Sequence, residues 1–110
     1  MMVSTPLKAD VSAGSDEVAF MVPPGFIAEV MMWVTGFSSS ITLLIESNHD
    51  VMRSQFGELS SGTEWTTEYS TAVGAAFLLR STSLYEGMYR FAPTGGGTIR
   101  LEIRLRPVIS

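Results

Sequence analysis

The sequence holds one histidine, His49, with Asp50 beside it and serines throughout, so a Ser–His–Asp hydrolase is the first chemistry to consider. Such a triad needs its acid to orient the imidazole from the side away from the serine, which an adjacent loop residue seldom does. No Gly-x-Ser-x-Gly elbow accompanies it. His49 therefore reads as a solvated turn residue. Glu46, Asn48, His49 and Asp50 could offer oxygens and a nitrogen to a divalent ion. Their spacing is not that of an EF-hand loop, and one histidine without distant partners makes a poor zinc site. Asn and Asp are explained more simply by the turn they form. Glu58, Glu64, Glu68 and Glu86 raise the paired-carboxylate chemistry of glycosidases. Glu64 and Glu68 fall on one face of a single strand, whereas two carboxylates that flank a sugar come from opposite walls of a cleft. The expectation is a protein that is not an enzyme and carries no cofactor and no metal.

Gly95-Gly96-Gly97 invites comparison with a phosphate cradle, but a P-loop continues into Lys-Ser/Thr and a helix. Here Thr98 opens a strand, and the glycines are expected to form the hairpin turn that joins two strands. Trp33, Trp65, Tyr69, Tyr85 and Tyr89 could stack on sugar rings. Trp33 sits in the most apolar segment and is expected in the core. Trp65 and Tyr69 are the better exposed pair: with Thr67 they fall on one face, opposite Glu64 and Glu68.

The elements that would carry these residues are strands. Thr98 to Arg106 alternates without a miss, placing Ile99, Leu101, Ile103 and Leu105 on one face and Arg100, Glu102, Arg104 and Arg106 on the other. Phe26 to Thr35 is largely apolar in both alternating sets, Ile27/Glu29/Met31/Trp33 and Ala28/Val30/Met32/Val34, which predicts cover on both sides. Further strands are expected at Leu7–Val11, Glu17–Val22, Ile41–Glu46, Met52–Leu59, Thr63–Tyr69, Ala75–Ser81 and Gly87–Ala92. Turns are expected at Pro23-Pro24-Gly25 and Gly36 to Ser40. No capped helical stripe is present. The pattern predicts an all-β, antiparallel β-sandwich of about eight strands, with a jelly roll as one open arrangement. Residues 1–16 form a partly extended N-terminal arm and residues 17–110 a single domain.

Composition narrows the function classes. Charged residues make up 16% of the chain, against roughly 25% in an average domain. So few charges leave apolar surface that one small core does not cover, which favours an oligomer or docked subunit. The formal charge of −4 argues against nucleic acid as a partner. No stretch approaches the ~20 apolar residues of a membrane span, so no membrane is expected. The absence of cysteine excludes disulfides and thiolate sites. Met1 to Lys8 lacks the basic segment and apolar run of a signal peptide, and synthesis in the cytosol is expected. Against this acidic background Arg100, Arg104 and Arg106 stand out as a local basic stripe on one strand face.

From Ile41 to Trp65, then Gly87-Met88-Tyr89-Arg90-Phe91, Thr94-Gly95-Gly96-Gly97 and the terminal strand, the layout resembles small tailed-bacteriophage virion proteins of sandwich or jelly-roll type. That resemblance implies a head decoration (cement) protein, a homo-oligomer, commonly a trimer, that stabilises the shell. It implies a virion location after synthesis in the host cytoplasm. Its implied partners are copies of itself and the major capsid protein or other virion proteins, with Arg100, Arg104, Arg106, Trp65 and Tyr69 as candidate contacts. The alternative is a tail- or fibre-associated module that binds a carbohydrate or receptor.

The alternation of the last strand makes one prediction directly. Ile103→Asp places a carboxylate among the apolar side chains and prevents soluble folding. A normal cooperative melt of that variant, followed by circular dichroism, would refute the assigned sides.

Overall fold

The computed structural model describes residues 2–3, 7–48 and 65–108, the first two through their backbone alone. Every regular element in them is a strand: β1 (Met2–Val3), β2 (Leu7–Ser12), β3 (Val18–Val22), β4 (Phe26–Asn48), β5 (Trp65–Val73), β6 (Leu79–Leu84), β7 (Gly87–Phe91) and β8 (Thr94–Pro107). They form one sheet in the order β1-β3-β7-β4-β8-β2, with β5 and β6 also paired to β4. All pairings are antiparallel except the short β1–β3 contact. The all-β antiparallel expectation is met. Leu7 to Ser12, in the expected N-terminal arm, pairs along β8 from Leu7↔Ile103 to Ser12↔Thr98.

The architecture follows from β4. Its 23 residues, at about 3.3 Å each, would span ~76 Å if straight, yet the longest dimension of the molecule is 45 Å. The strand therefore folds over. Its first half, Ala28–Trp33, lies between β6 and β8. Its second half, Ile41–Asn48, lies beside β5, with β7 on its other edge. The open sheet curls over into two layers, β6–β4–β8–β2 and β5–β4–β7–β3–β1.

The corner is where the sequence reading needs correcting. Gly36 to Ser40, expected as a turn between separate strands, is continuous strand that pairs with β8 through three register shifts, between Val34 and Thr42. Gly95 to Gly97, expected as a hairpin turn, lies inside β8 against that corner, with Gly97↔Phe37 and Gly96↔Ser39. β7 and β8 are not a hairpin. They lie end to end along one edge of β4, and β5 and β6 do the same along the other, separated by residues 74–78. The strand expected at Ala75–Ser81 thus begins later, at Leu79. The strand expected at Met52–Leu59 lies outside the described residues.

The buried parity of β4 switches at this corner. Ala28, Val30, Met32 and Val34 are buried before it, and Ile41, Leu43 and Ile45 after it. Each register shift moves the strand by a residue relative to its partner, which is how a bulge bends a strand and re-aims its side chains. Both halves thereby point one set inward, where they meet Val11, Ile99, Leu101 and Ile103 from one layer and Phe20, Val22, Val73 and Phe91 from the other in one core cluster. Ile99, Leu101 and Ile103 are fully buried, as their alternation predicts.

Glycine is required at the corner because backbone crosses it. A Cβ on Gly97 would stand 2.2 Å from the Gly36 carbonyl oxygen, and one on Gly95 would stand 2.0 Å from that of Ser40. Gly95 also adopts φ +107° and Gly97 φ +149°, which L side chains rarely do. Gly97→Ala is expected to cost about 3 kcal/mol or more, from overpacking and backbone strain together. Gly74→Ala, where nothing lies within 4 Å, should stay within about 0.5 kcal/mol of the parent. Equal melting temperatures for the two variants would contradict the corner packing.

Candidate functional site

Folding β4 over an inward-facing core leaves its other side chains on an outer surface. In the layer β6–β4–β8–β2 the pairing arranges that surface in rows. Leu79, Trp33, Arg100 and Asp10 stand side by side, then Ser81, Met31, Glu102 and Lys8, then Ser83, Glu29 and Arg104, with Ile27 beside Arg106. Trp33 is 44% exposed and Leu79 48%. Expected in the core, Trp33 instead stands on this outer face, and the two-sided cover expected for Phe26–Thr35 exists on one side only. Glu29 is the sequence signal for this. A charged member in the set Ile27, Glu29, Met31, Trp33 marks the open side of the strand.

The three arginines of β8 lie on the same face, each against a carboxylate. Arg100 Nε is 3.3 Å from Asp10 Oδ1, and Arg106 Nε donates to Glu29 Oε1 at 3.0 Å. Arg104 lies 3.9 Å from Glu102, which Lys8 approaches at 3.4 Å from the other side. The expected basic stripe is thus a lattice of alternating sign. Exposed pairs of this kind contribute only about 0–1 kcal/mol each, so their main effect is on the potential of the surface. At the apolar end of the lattice, Met31, Trp33, Thr35, Leu79, Arg100 and Glu102 line an open groove of about 380 Å³. The Thr35 hydroxyl donates to the Thr98 carbonyl at 3.2 Å, tying the groove wall to β8.

The other candidate residues, Trp65 and Tyr69, do not share a face. The β4–β5 register runs Asn48↔Trp65, Ser47↔Thr66 and Glu46↔Thr67, then Ile45↔Tyr69, with Glu68 as the extra residue of a bulge. Tyr69 therefore joins the side of buried Ile45 and packs against the core. Trp65 stays outside with Glu46, and the Arg90 guanidinium lies 4.2 Å from its ring centroid. Arg90 is also 2.8 Å from Glu46 and 3.9 Å from Glu17. A cation over an indole with carboxylates around it ties β5, β4, β7 and the entry to β3 together. The aromatic platform expected from Trp65 and Tyr69 is replaced by this cluster.

The bulge is held from inside. Buried Ser47 donates to Glu68 Oε1 at 2.5 Å. Next to it Tyr89, paired with Ser47 across β7, stacks on Phe20 with ring centroids 5.7 Å apart and donates its hydroxyl to the Tyr85 carbonyl at 2.7 Å. Burial, helped by the negative charges of Glu68 and Glu86, pushes the Tyr89 phenol above its usual range.

His49, Asp50, Glu58 and Glu64 lie outside the described residues. Among the described residues no group of three His, Cys, Asp or Glu side chains is placed to hold a metal ion, and no helix is long and apolar enough to cross a membrane.

The fold and its faces define a small all-β sandwich-like module. No protein-family profile matches the chain, and no solved structure matches it. A stretch of 52 residues, 47% of the chain, is 38% identical to human "Disintegrin and metalloproteinase domain-containing protein 11". That stretch is 7% of the human protein's length.

Tyr89 yields a pH prediction. A phenol whose pKa is raised by folding contributes stability that is complete below its unfolded value, about 10. That contribution is lost as pH rises through the higher folded value. Denaturant midpoints should fall more steeply above that unfolded value for the parent than for Tyr89→Phe. At neutral pH the variant should lose about 0.5–1.5 kcal/mol for the missing hydrogen bond. Parallel pH profiles would contradict the assignment.

Proposed function

We propose that the chain is a non-enzymatic structural protein of a bacteriophage virion, a capsid decoration module that self-associates as a homotrimer and clamps neighbouring shell subunits. The observation that carries this reading is the outer face of β6–β4–β8–β2, with an apolar patch of Trp33, Met31 and Leu79 at one end and a lattice of paired charges beside it. Protein–protein interfaces combine desolvated apolar area with polar groups beside it. The flat, two-layered body, 20 Å through its thinnest dimension, suits a protein that lies on or between larger subunits. A subunit that bridges neighbours only in the assembled shell stabilises that shell by mass action, with no chemistry required.

The charge lattice supplies the test. Arg100→Glu together with Arg104→Glu turns the lattice strongly acidic while leaving both side chains outside the core. The variant should keep the parent's melting behaviour and bind undecorated shells at least tenfold more weakly in co-sedimentation. Unchanged shell binding would remove this face from the contacts, with the shell or with a neighbouring copy, on which decoration depends, and failure of the parent to bind would overturn the decoration reading.

A further inference from the structure

We propose that the outer face of β6–β4–β8–β2, with Trp33 at one end, is the surface on which a second copy of this chain docks. The inference rests on the self-association in the function proposed above and specifies its location.

Charge is the first argument. Of the 6 basic and 8 acidic side chains among the described residues, 4 and 3 stand on this face: Lys8, Arg100, Arg104 and Arg106 against Asp10, Glu29 and Glu102. The face carries a formal +1, and the other described residues, 2 basic and 5 acidic, carry −3. Two copies of an acidic protein repel each other through every surface that shares its net sign. This face is free of that penalty. Its signs also alternate from row to row: Asp10 beside Arg100, Lys8 beside Glu102, Glu29 beside Arg104. A second copy laid across it can set its cations over carboxylates, the complementarity that fixes orientation between partners.

Area is the second. Ten-residue stretches of β4 and β8 with the six residues each of β2 and β6, about 4.8 Å apart at about 3.3 Å per residue, cover roughly 500 Å² in plan before side-chain relief is added. A stable complex buries about 800 Å² of accessible surface on each partner, so a second copy must cover the whole face, side-chain relief included.

The third argument is an independent local strain. Phe77, two residues before Leu79, is 74% exposed and holds φ at +63°. A bulky residue in the left-handed region is strained, and such strain persists where surrounding structure imposes it, often at functional positions. Its amide donates to the Val34 carbonyl at 2.7 Å, and Val34 in turn donates to the Leu78 carbonyl at 3.0 Å, pinning the bend to β4 beside Trp33. The strained backbone thus holds an exposed aromatic where residues 74–78 lead into β6. Any closed assembly that buries the face gives Leu79 and Trp33 a common cover.

Sedimentation equilibrium with the full chain tests this, using the parent, Trp33→Glu and Leu79→Lys. The parent should sediment as a multiple of its 11.9 kDa chain mass, and each variant should dissociate at least tenfold more readily while keeping the parent's far-ultraviolet dichroism. Leu79→Lys, at an edge strand, serves if Trp33→Glu fails to fold. A parent that stays monomeric at high micromolar concentration overturns both this inference and the self-association beneath it. Folded variants that assemble as well as the parent overturn the location alone and leave self-association standing. A monomeric parent that binds glycans on an array, with binding lost in Trp33→Ala, would assign the groove to a carbohydrate and overturn the second copy.

Discussion

The structure depends on one close approach, the crossing of Gly36 to Ser40 over Gly95 to Gly97. A strand longer than the molecule can remain a strand only if it bends with its partner. The bend here is shared by β4 and β8 at the same place. Side chains on Gly95 and Gly97 would collide with the β4 backbone, so the corner is a packing solution that only glycine allows at these two positions. The polar, small residues Ser38, Ser39 and Ser40 leave the outside of the corner unobstructed, and all three are exposed.

Much else follows from that bend. It switches the buried parity of β4 from even to odd residues, so two runs of opposite phase feed one core. It sends β5 and β6 along one edge of β4, and β7 and β8 along the other, as two composite ribbons. It also fixes which residues are left outside. In one layer these are Trp33, Met31 and Leu79 with the charge lattice of β8 and β2. In the other they include Trp65 under Arg90. The first is open and apolar at one end, whereas the second is closed by its own cation and carboxylates.

The strands themselves were legible because their side chains alternate strictly. Thr98 to Arg106 shows this best: its inner residues are buried and Arg100 and Arg104 are exposed, as period two demands. The corner was not legible, because glycine and serine runs favour turns on local grounds, and only the partner strand decides that they continue a ladder. The sides of Trp65 and Tyr69 were hidden by a single extra residue, Glu68, since a bulge reverses every position beyond it. Trp33 was misplaced for a different reason. A mostly apolar strand reads as doubly covered, although Glu29 on the same side marked the uncovered one. The arginine stripe was visible, as was Glu102 beside Arg104, but the carboxylates that meet Arg100 and Arg106 are Asp10 on β2 and Glu29 on β4, 90 and 77 residues away in sequence. No local pattern could have supplied them.

A strand folded at a glycine corner so as to present Trp33 to a second copy can be tested at Trp33 itself. In a Trp65→Phe background Trp33 is the chain's one remaining indole, and its acrylamide quenching can be followed as protein concentration is raised. Quenching should fall and emission should shift to the blue over the same concentrations at which the mass rises above that of one chain. Quenching that stays constant while the mass increases would contradict the account.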